Sequence, residues 1–345
     1  MIAAEPQGRH TAGIPDWQRE LAEAVRDPLE LLSLLDLVPE QLGRGVTAAT
    51  LAAAAADFPL RVPRSFIARM RRGDAADPLL LQVLASPREL EPVAGYVTDP
   101  LQETDARRGN GLLRKYAGRA LLIATGACAV HCRYCFRRHY DYAADQRDGP
   151  RWDQAFKTIA ADTNLDEVIL SGGDPFSLGN ARLAQLLGQL ADLPHISRIR
   201  IHTRTPVVLP ARVDAGLLDL LKPLRDRIVI VVHANHPAEL DTATSSALRQ
   251  LGDACRALLN QSVLLAGVNA DAATLAELSR RLFAAGILPY YLHQLDPVAG
   301  AAHFAIDDAT ALGLHRDLNA ALPGYLVPRL VREVPGAASK VPLAT

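Results

Sequence analysis

From residue 119 onward the chain repeats one pattern: a short apolar, β-branched run, then a longer stretch with apolar residues at helical spacing. The runs fall at residues 120–125, 167–171, 199–203, 228–233, 262–268 and 287–293. The helical stretches between them fall at 153–162, 181–191, 211–224, 238–259 and 272–285. Runs this short suit strands, and their continuous apolar character suits strands covered on both faces. Strands alternating with helices build a parallel sheet, so the fold class is α/β. Six such units predict a partial (β/α)6 barrel, whose strand ends carry the chemistry. A doubly wound open sheet gives the same alternation.

The first 114 residues read as a helical and irregular extension. Leu21, Val25, Leu29, Leu32 and Leu35 follow helical spacing within residues 17–37, with Asp16 placed to cap the start. Pro28, after Asp27, is expected to open a second helix. Residues 47–56 are alanine-rich and helical, and prolines break 57–101 into short pieces. Residues 115–330 are assigned to the barrel and 331–345 to a C-terminal segment.

The 345 residues carry 37 basic and 38 acidic side chains, a net charge of −1. Nucleic-acid binders show a clear basic excess, so a small-molecule target is expected. No uninterrupted apolar run reaches the ~18 residues of a membrane span. Residues 1–15 lack a charged region followed by an apolar core, so no export signal is read. The expected location is the cytoplasm.

Three of the four cysteines fall within eight residues, Cys128-Ala-Val-His-Cys132-Arg-Tyr-Cys135, just after the first run. In a chain without an export signal this reads as metal ligation rather than a disulfide framework. Three thiolates at this spacing can bind three irons of a [4Fe–4S] cluster from one loop. The fourth iron stays open to the amino and carboxylate groups of S-adenosylmethionine. The alternatives are a structural zinc site or chance, but zinc takes four ligands. The remaining cysteine, Cys255, falls inside the 238–259 helical stretch and reads as a small core residue. A second motif, Ser171-Gly172-Gly173-Asp174-Pro175, ends the second run. Its glycines would let the backbone approach a ligand closely, here the methionyl part of S-adenosylmethionine.

With these motifs the chain resembles the radical S-adenosylmethionine lysine 2,3-aminomutases. The matching residues run in order from about residue 99 to 340. They include Asp99-Pro-Leu, Tyr116 with Arg119, the cysteine motif continued by Phe-Arg137-Arg138, and Ser171-Gly-Gly-Asp174. Further on come Arg204-Thr-Pro-Val-Val, His233-Ala-Asn-His236-Pro, Asn260-Gln261, His293-Gln-Leu-Asp296 and Pro335-Gly336-Ala-Ala-Ser-Lys340. The resemblance implies a radical S-adenosylmethionine barrel that also uses pyridoxal 5′-phosphate, anchored by Lys340. It implies phosphate and ring contacts from Lys115, Tyr116 and Arg119, with lysine standing at 115 where the family usually has arginine. It places His233 and Gln261 with Ser171, Gly172, Gly173 and Asp174 in the S-adenosylmethionine pocket. Arg137 is assigned to the substrate carboxylate, and Asp296 and Glu333 to the ε-ammonium of L-lysine. Glu333 stands where the family normally has aspartate.

The segment Trp17-Gln-Arg-Glu-Leu, followed by Asp27-Pro-Leu-Glu-Leu-Leu, looks like the short bacterial branch of that family, which serves elongation factor P. The longer catabolic enzymes carry a C-terminal extension with further cysteines, and the chain ends at Thr345 without them. The expectation is an isomerase that makes (R)-β-lysine from (S)-α-lysine for an elongation factor P lysyl ligase, fed by an external electron donor. A homo-oligomer is compatible with the sequence. A catabolic mutase and a radical enzyme of another reaction class stand as alternatives.

Overall fold

The computed structural model describes residues 15–109, 111–143 and 152–343. Residues 1–14, most of the segment in which no export signal is read, lie outside the described residues. Nine strands form one sheet: β1 Leu112–Tyr116, β2 Arg119–Thr125, β3 Glu167–Gly172, β4 Arg198–Thr203, β5 Ile228–Val232, β6 Ala257–Val263, β7 Leu288–His293, β8 Arg329–Arg332 and β9 Val341–Pro342. They follow one another in chain order without reversal. A doubly wound sheet reverses its strand order at a switch point, so the topology decides for the barrel type. Strands β2 to β8 are parallel, while β1 and β9 turn antiparallel at the two edges. Among the described residues the two edges do not pair, so the barrel is partial.

Alternation along the strands separates two faces. Leu122, Val168, Leu170, Ile199, Ile201, Ile230 and Val232 point outward into a core shared with the crossover helices Asp153–Ala161, Asn180–Ala191, Thr242–Asp253 and Ala272–Ala284. Leu121, Ile169, Arg200, His202, Gln261, Val263, Tyr291, His293 and Val331 point inward and line one cavity. The runs expected to be apolar on both faces are therefore two-sided. Their inner side is mixed, with Arg200, His202, Gln261, Tyr291 and His293 among apolar residues, because it faces a cavity rather than packed side chains.

The structure corrects several boundaries. The fifth predicted strand, 262–268, lies at Ala257–Val263, because the preceding helix stops at Asp253 and does not run to 259. Leucines at 248, 251, 258 and 259 fit a helical period across this break. Asn260 also disguises the strand: its side chain is buried and bonds both the N–H and the carbonyl of Ala234. Cys255 sits in the turn between the two elements rather than in the helix, and is buried in the outer core. A seventh parallel strand, β8, and the edge strands β1 and β9 extend the sheet beyond the six predicted runs. Helix Asp16–Ala22 contains Asp16 as its first residue rather than its cap. Asp27 does cap helix Pro28–Leu34, accepting from the Leu29 N–H at 2.9 Å.

The N-terminal extension shares its core with the barrel. Trp17, Leu31, Leu51, Phe66 and Leu80 pack with Ala129 and Val130 of the cysteine loop and with Val208 and Leu209 beyond β4. A buried ion triad reinforces this contact. Arg133, lying between two of the cysteines, donates from Nε to both Glu89 carboxylate oxygens at 2.9 and 3.2 Å. Arg138 donates from Nη2 to the same carboxylate at 2.7 Å. Arg133 also reaches back to the carbonyls of Ala54 and Phe58. No helix among the described residues is long and apolar enough to cross a membrane.

Glu89→Ala leaves two buried guanidinium groups without their counter-charge, a change that typically costs about 3–5 kcal/mol. The variant is expected to melt at clearly lower temperature and to be cut earlier within residues 16–90 under limited proteolysis. Wild-type melting and digestion would show that the triad does not hold the extension down.

Candidate active site

Beyond β2 the chain passes through Gly126 and Ala127 into the cysteine loop, where the Cys135 N–H donates to the Cys132 carbonyl at 3.0 Å. Cys128, Cys132 and Cys135 are free thiols, and all three open onto the cavity, whose volume is about 440 Å³. Burial pushes the Cys135 thiol up to about 11, with the neighbouring Cys132 adding to it. Burial also holds the Cys128 thiol well above its ordinary value, with Asp174 and the other two thiols contributing. Three thiolates crowded here need a cationic centre to be charged together, which a bound metal supplies. The donor set fits an iron–sulfur cluster.

The Gly172-Gly173 pair lies against this loop. Gly172 has φ +112°, and a Cβ on it would sit 2.7 Å from the Thr125 carbonyl oxygen. A Cβ on Gly173 would sit 2.4 Å from the Ala127 carbonyl oxygen. The side on which a Cβ would stand is thus filled by the chain's own loop, while both glycines also border the cavity. The Gly173 and Asp174 N–H groups donate to the carbonyls of Thr125 and Ala127 at 2.7 and 2.8 Å, continuing the β2–β3 pairing into the loop. The buried Asp174 carboxylate accepts from the Thr203 hydroxyl and from the N–H groups of Phe176, Arg204 and Thr205.

Lys340 reaches the cavity from the β8–β9 hairpin, at the gap between the sheet edges. Its ammonium donates to Glu333 and lies 5.7 Å from the centre of the Tyr291 ring. Glu333 also accepts from the Tyr116 hydroxyl at 2.5 Å, so a side-chain bond spans from β1 to the end of β8. Burial would raise the Glu333 carboxyl, but Lys340 and Tyr116 overcome that and hold it below its ordinary value. Asp296, beyond β7, accepts no hydrogen bond from a described side chain. Burial raises its carboxyl to about 7, with Lys340 opposing the rise and Glu333 adding to it. A carboxylate in this position is arranged to receive a cation.

Arg137 is buried, but its fork is already engaged. Nε and Nη2 donate to the two oxygens of Glu103 at 2.6 and 2.8 Å, and Nη1 donates to Ser171 Oγ at 2.9 Å. The Lys115 ammonium lies 3.1 Å from the same Glu103. Burial would raise the Glu103 carboxyl, yet Arg137 and then Lys115 hold it at about 2. Asp99 fixes this residue by accepting from the N–H groups of Glu103 and Thr104. Glu103 has no role in the sequence reading, and nothing in its local pattern marks it as a cavity residue.

Between these groups, Gln261 Nε2 donates to His233 Nε2 at 2.6 Å. Burial, with Arg204 adding, takes His233 down to about 3, so the ring accepts as a neutral imidazole. His202 and His293 also line the cavity, and each has a buried Nε2 without a hydrogen-bond partner among the described residues. The buried Nε of Arg119 is likewise unpartnered, and its guanidinium lies 4.4 Å from the centre of the Tyr116 ring. Buried polar atoms without partners are rare in native proteins. Here they fit ligands with hydrogen-bonding groups, and the Arg119 cation with the Lys340 amine fits a phosphorylated aldehyde. His202 and Tyr291 were legible only from strand parity: in β4 and β7 they occupy inward positions. Every site residue expected from the sequence lines this one cavity.

The sequence model of the Radical SAM superfamily matches residues 122–254. L-lysine 2,3-aminomutase of Escherichia coli is 48% identical over 335 residues, covering 97% of this chain and 96% of that protein. L-lysine 2,3-aminomutase of Haemophilus influenzae is 44% identical over 325 residues, covering 94% of each. L-lysine 2,3-aminomutase of Clostridium subterminale is 31% identical over 329 residues, covering 95% of this chain and 77% of that protein.

Gly173→Ala forces a Cβ into backbone that has no room to retreat, whereas Gly188 meets nothing within 4 Å. After anaerobic reconstitution Gly173→Ala is expected to lose most of its iron and Gly188→Ala to keep it. Equal iron in the two variants would refute the packing role of the glycine pair.

Proposed function

Because the chain belongs to the L-lysine 2,3-aminomutase family, we propose that its cavity converts (S)-α-lysine to (R)-β-lysine. A [4Fe–4S] cluster would be held by Cys128, Cys132 and Cys135, S-adenosylmethionine beside it, and pyridoxal 5′-phosphate at Lys340. The observation that carries this reading is the layout of one cavity. Three free thiols open onto it beyond the strand ends, and Lys340 enters at the gap between the sheet edges beside two carboxylates.

When bound, the cluster with S-adenosylmethionine supplies a carbon-centred radical that takes and returns a substrate hydrogen, and pyridoxal phosphate supplies the conjugated path for the amino group. The chain's own residues orient and balance charge. Asp296 and Glu333 offer carboxylates to the ε-ammonium, while Arg137 is the cation suited to the α-carboxylate. To take that carboxylate with both prongs, Arg137 must share or give up its hold on Glu103. Arg119 and Lys115 are the cations suited to the cofactor phosphate. His233, kept neutral by burial and oriented by Gln261, offers its Nδ1 hydrogen to a ligand. The backbone at Gly172 and Gly173 borders the space for S-adenosylmethionine, while Asp174 acts from behind by holding the loop and the end of β4.

The same reading sends the product to an elongation factor P lysyl ligase in the cytoplasm, with electrons from an external donor. It is supported by the resemblance of the Trp17 and Asp27 segments to the short bacterial branch, and by the higher identity to the Escherichia coli and Haemophilus influenzae proteins than to the Clostridium subterminale one.

Borohydride should fix pyridoxal phosphate covalently to the peptide carrying Lys340. Lys340→Ala should keep its iron, still cleave S-adenosylmethionine slowly when reduced, and make no β-lysine. An adduct on another lysine, or native turnover by the variant, would remove Lys340 from the site.

Asp296 gives a pH signature. Its folded carboxyl lies near 7, and an ammonium binds only the charged form. The KM for lysine should therefore rise as pH falls through about 7, and bound lysine should draw the Asp296 pKa down. Asp296→Asn should raise KM at pH 8 at least tenfold and abolish this limb of the pH profile. A KM independent of pH between 6 and 8 in the wild type would count against the contact.

A further inference from the structure

Arg204 opens the Arg204-Thr-Pro-Val-Val motif, yet the proposed reaction assigns it no task. It is buried at the end of β4, where Asp174 receives its N–H at 2.7 Å. Its side chain is held from three directions. Nη2 donates to Gln82 Oε1 at 2.8 Å and to Glu239 Oε2 at 3.0 Å, from the N-terminal extension and from the turn after β5. Nη1 donates to the Tyr134 hydroxyl and, at 2.8 Å, to Cys132 Sγ. Glu239 is itself fixed by Gln82 Nε2 and by the N–H groups of Asn235 and His236. A guanidinium pinned in this way cannot turn from the sulfur without breaking several buried bonds at once.

We infer that Arg204 sets the reduction potential of the cluster by hydrogen-bonding the Cys132 sulfur. The inference rests on Cys132 being a cluster ligand. Reduction adds one electron to the cluster, and the added charge spreads onto the ligating sulfurs. A donor and a full positive charge at one sulfur stabilise the reduced form more than the oxidised form, so they raise the potential. Exclusion of water strengthens the effect. Arg204 is a positioning and tuning residue, since it acts through Cys132 rather than on the substrate.

The test compares anaerobically reconstituted wild type, Arg204→Lys and the double variant Arg204→Met/Glu239→Gln. The double variant removes both members of a buried ion pair, so net charge is unchanged and no lone charge is left behind. Iron content and the EPR-monitored midpoint potential are measured without S-adenosylmethionine, and then S-adenosylmethionine affinity. Both variants should hold iron and reduce at more negative potential than wild type, with the double variant shifted further. If the double variant loses iron, the potential of Arg204→Lys decides alone.

Unshifted potentials with full iron would overturn the inference. Weakened S-adenosylmethionine binding at an unchanged potential would also overturn it, making Arg204 a ligand of that molecule. Loss of iron from both variants would overturn it too, reducing Arg204 to a support for the loop. Cys132→Ser, measured alongside, checks the ligand assignment separately. Native iron and spectrum in that variant would sink the assignment and the inference with it, whereas normal iron loss there with unshifted Arg204 potentials sinks the inference alone.

Discussion

The hydrogen bond from Tyr116 to Glu333 joins two sheet edges that the backbone leaves apart. Seven parallel strands fall short of the eight that close a barrel around packed side chains. At the two ends the chain instead folds back into the antiparallel strands β1 and β9, and side chains span the space between them. Glu333 is central to that seam because its second oxygen holds Lys340. Breaking this bond would therefore loosen the wall of the cavity and the lysine within it together. The incomplete barrel also explains how the inner face can carry polar residues such as His202, Gln261 and His293. With no opposite wall of strands to pack against, inward positions face space large enough for ligands.

Several charges inside that space are already paired. Glu103 faces Arg137 and Lys115, and Glu333 faces Lys340. Asp296 accepts no hydrogen bond from a described side chain and keeps a raised pKa, so it gains most from an incoming cation. A carboxylate would meet the opposite condition at Arg137, which already has a bidentate partner. A zwitterionic substrate with a distant ammonium would answer both conditions: its cation would satisfy Asp296, and its carboxylate would compete with Glu103 for Arg137. Discrimination is then expected to come from the ammonium end, where desolvation of Asp296 is relieved only by a positive charge.

Much of this was legible in the sequence. The alternation of runs gave the parallel class, the cysteine spacing gave a loop that opens onto the cavity, and motif order brought Lys340, Asp296 and Glu333 into one list. Three kinds of feature were not legible. Strand β6 was displaced because leucines continue a helical period through the turn at Cys255, and the strand shows only in its backbone pairing with β5 and β7. Strands β8 and β9 are too short to carry a pattern, and they form because they cover an edge of the sheet. Glu103 escaped because its significance is purely tertiary: a carboxylate on a four-residue helix becomes a site residue only when the fold brings Arg137 and Lys115 to it. At the glycine pair a close backbone approach was legible, but that it includes the chain's own loop at Ala127 was not.

The cysteine loop shows how function constrains the extension. Within this loop the thiols open onto the cavity, while Arg133 points into the extension and Tyr134 joins the network of Gln82 and Arg204. Arg133 takes its partners from Ala54, Phe58 and Glu89, and Arg204 takes one of its partners from Gln82. Both cations that flank the loop are thus oriented by residues that precede the barrel. A barrel stripped of residues 16–90 would keep its cysteines but leave Arg133 without its counter-charge and Arg204 with one fewer tether. Buried cations in that condition either recruit water or move, and either change reaches the thiols within one residue. The extension therefore helps to hold the cysteine loop, and the two are expected to fold as one unit.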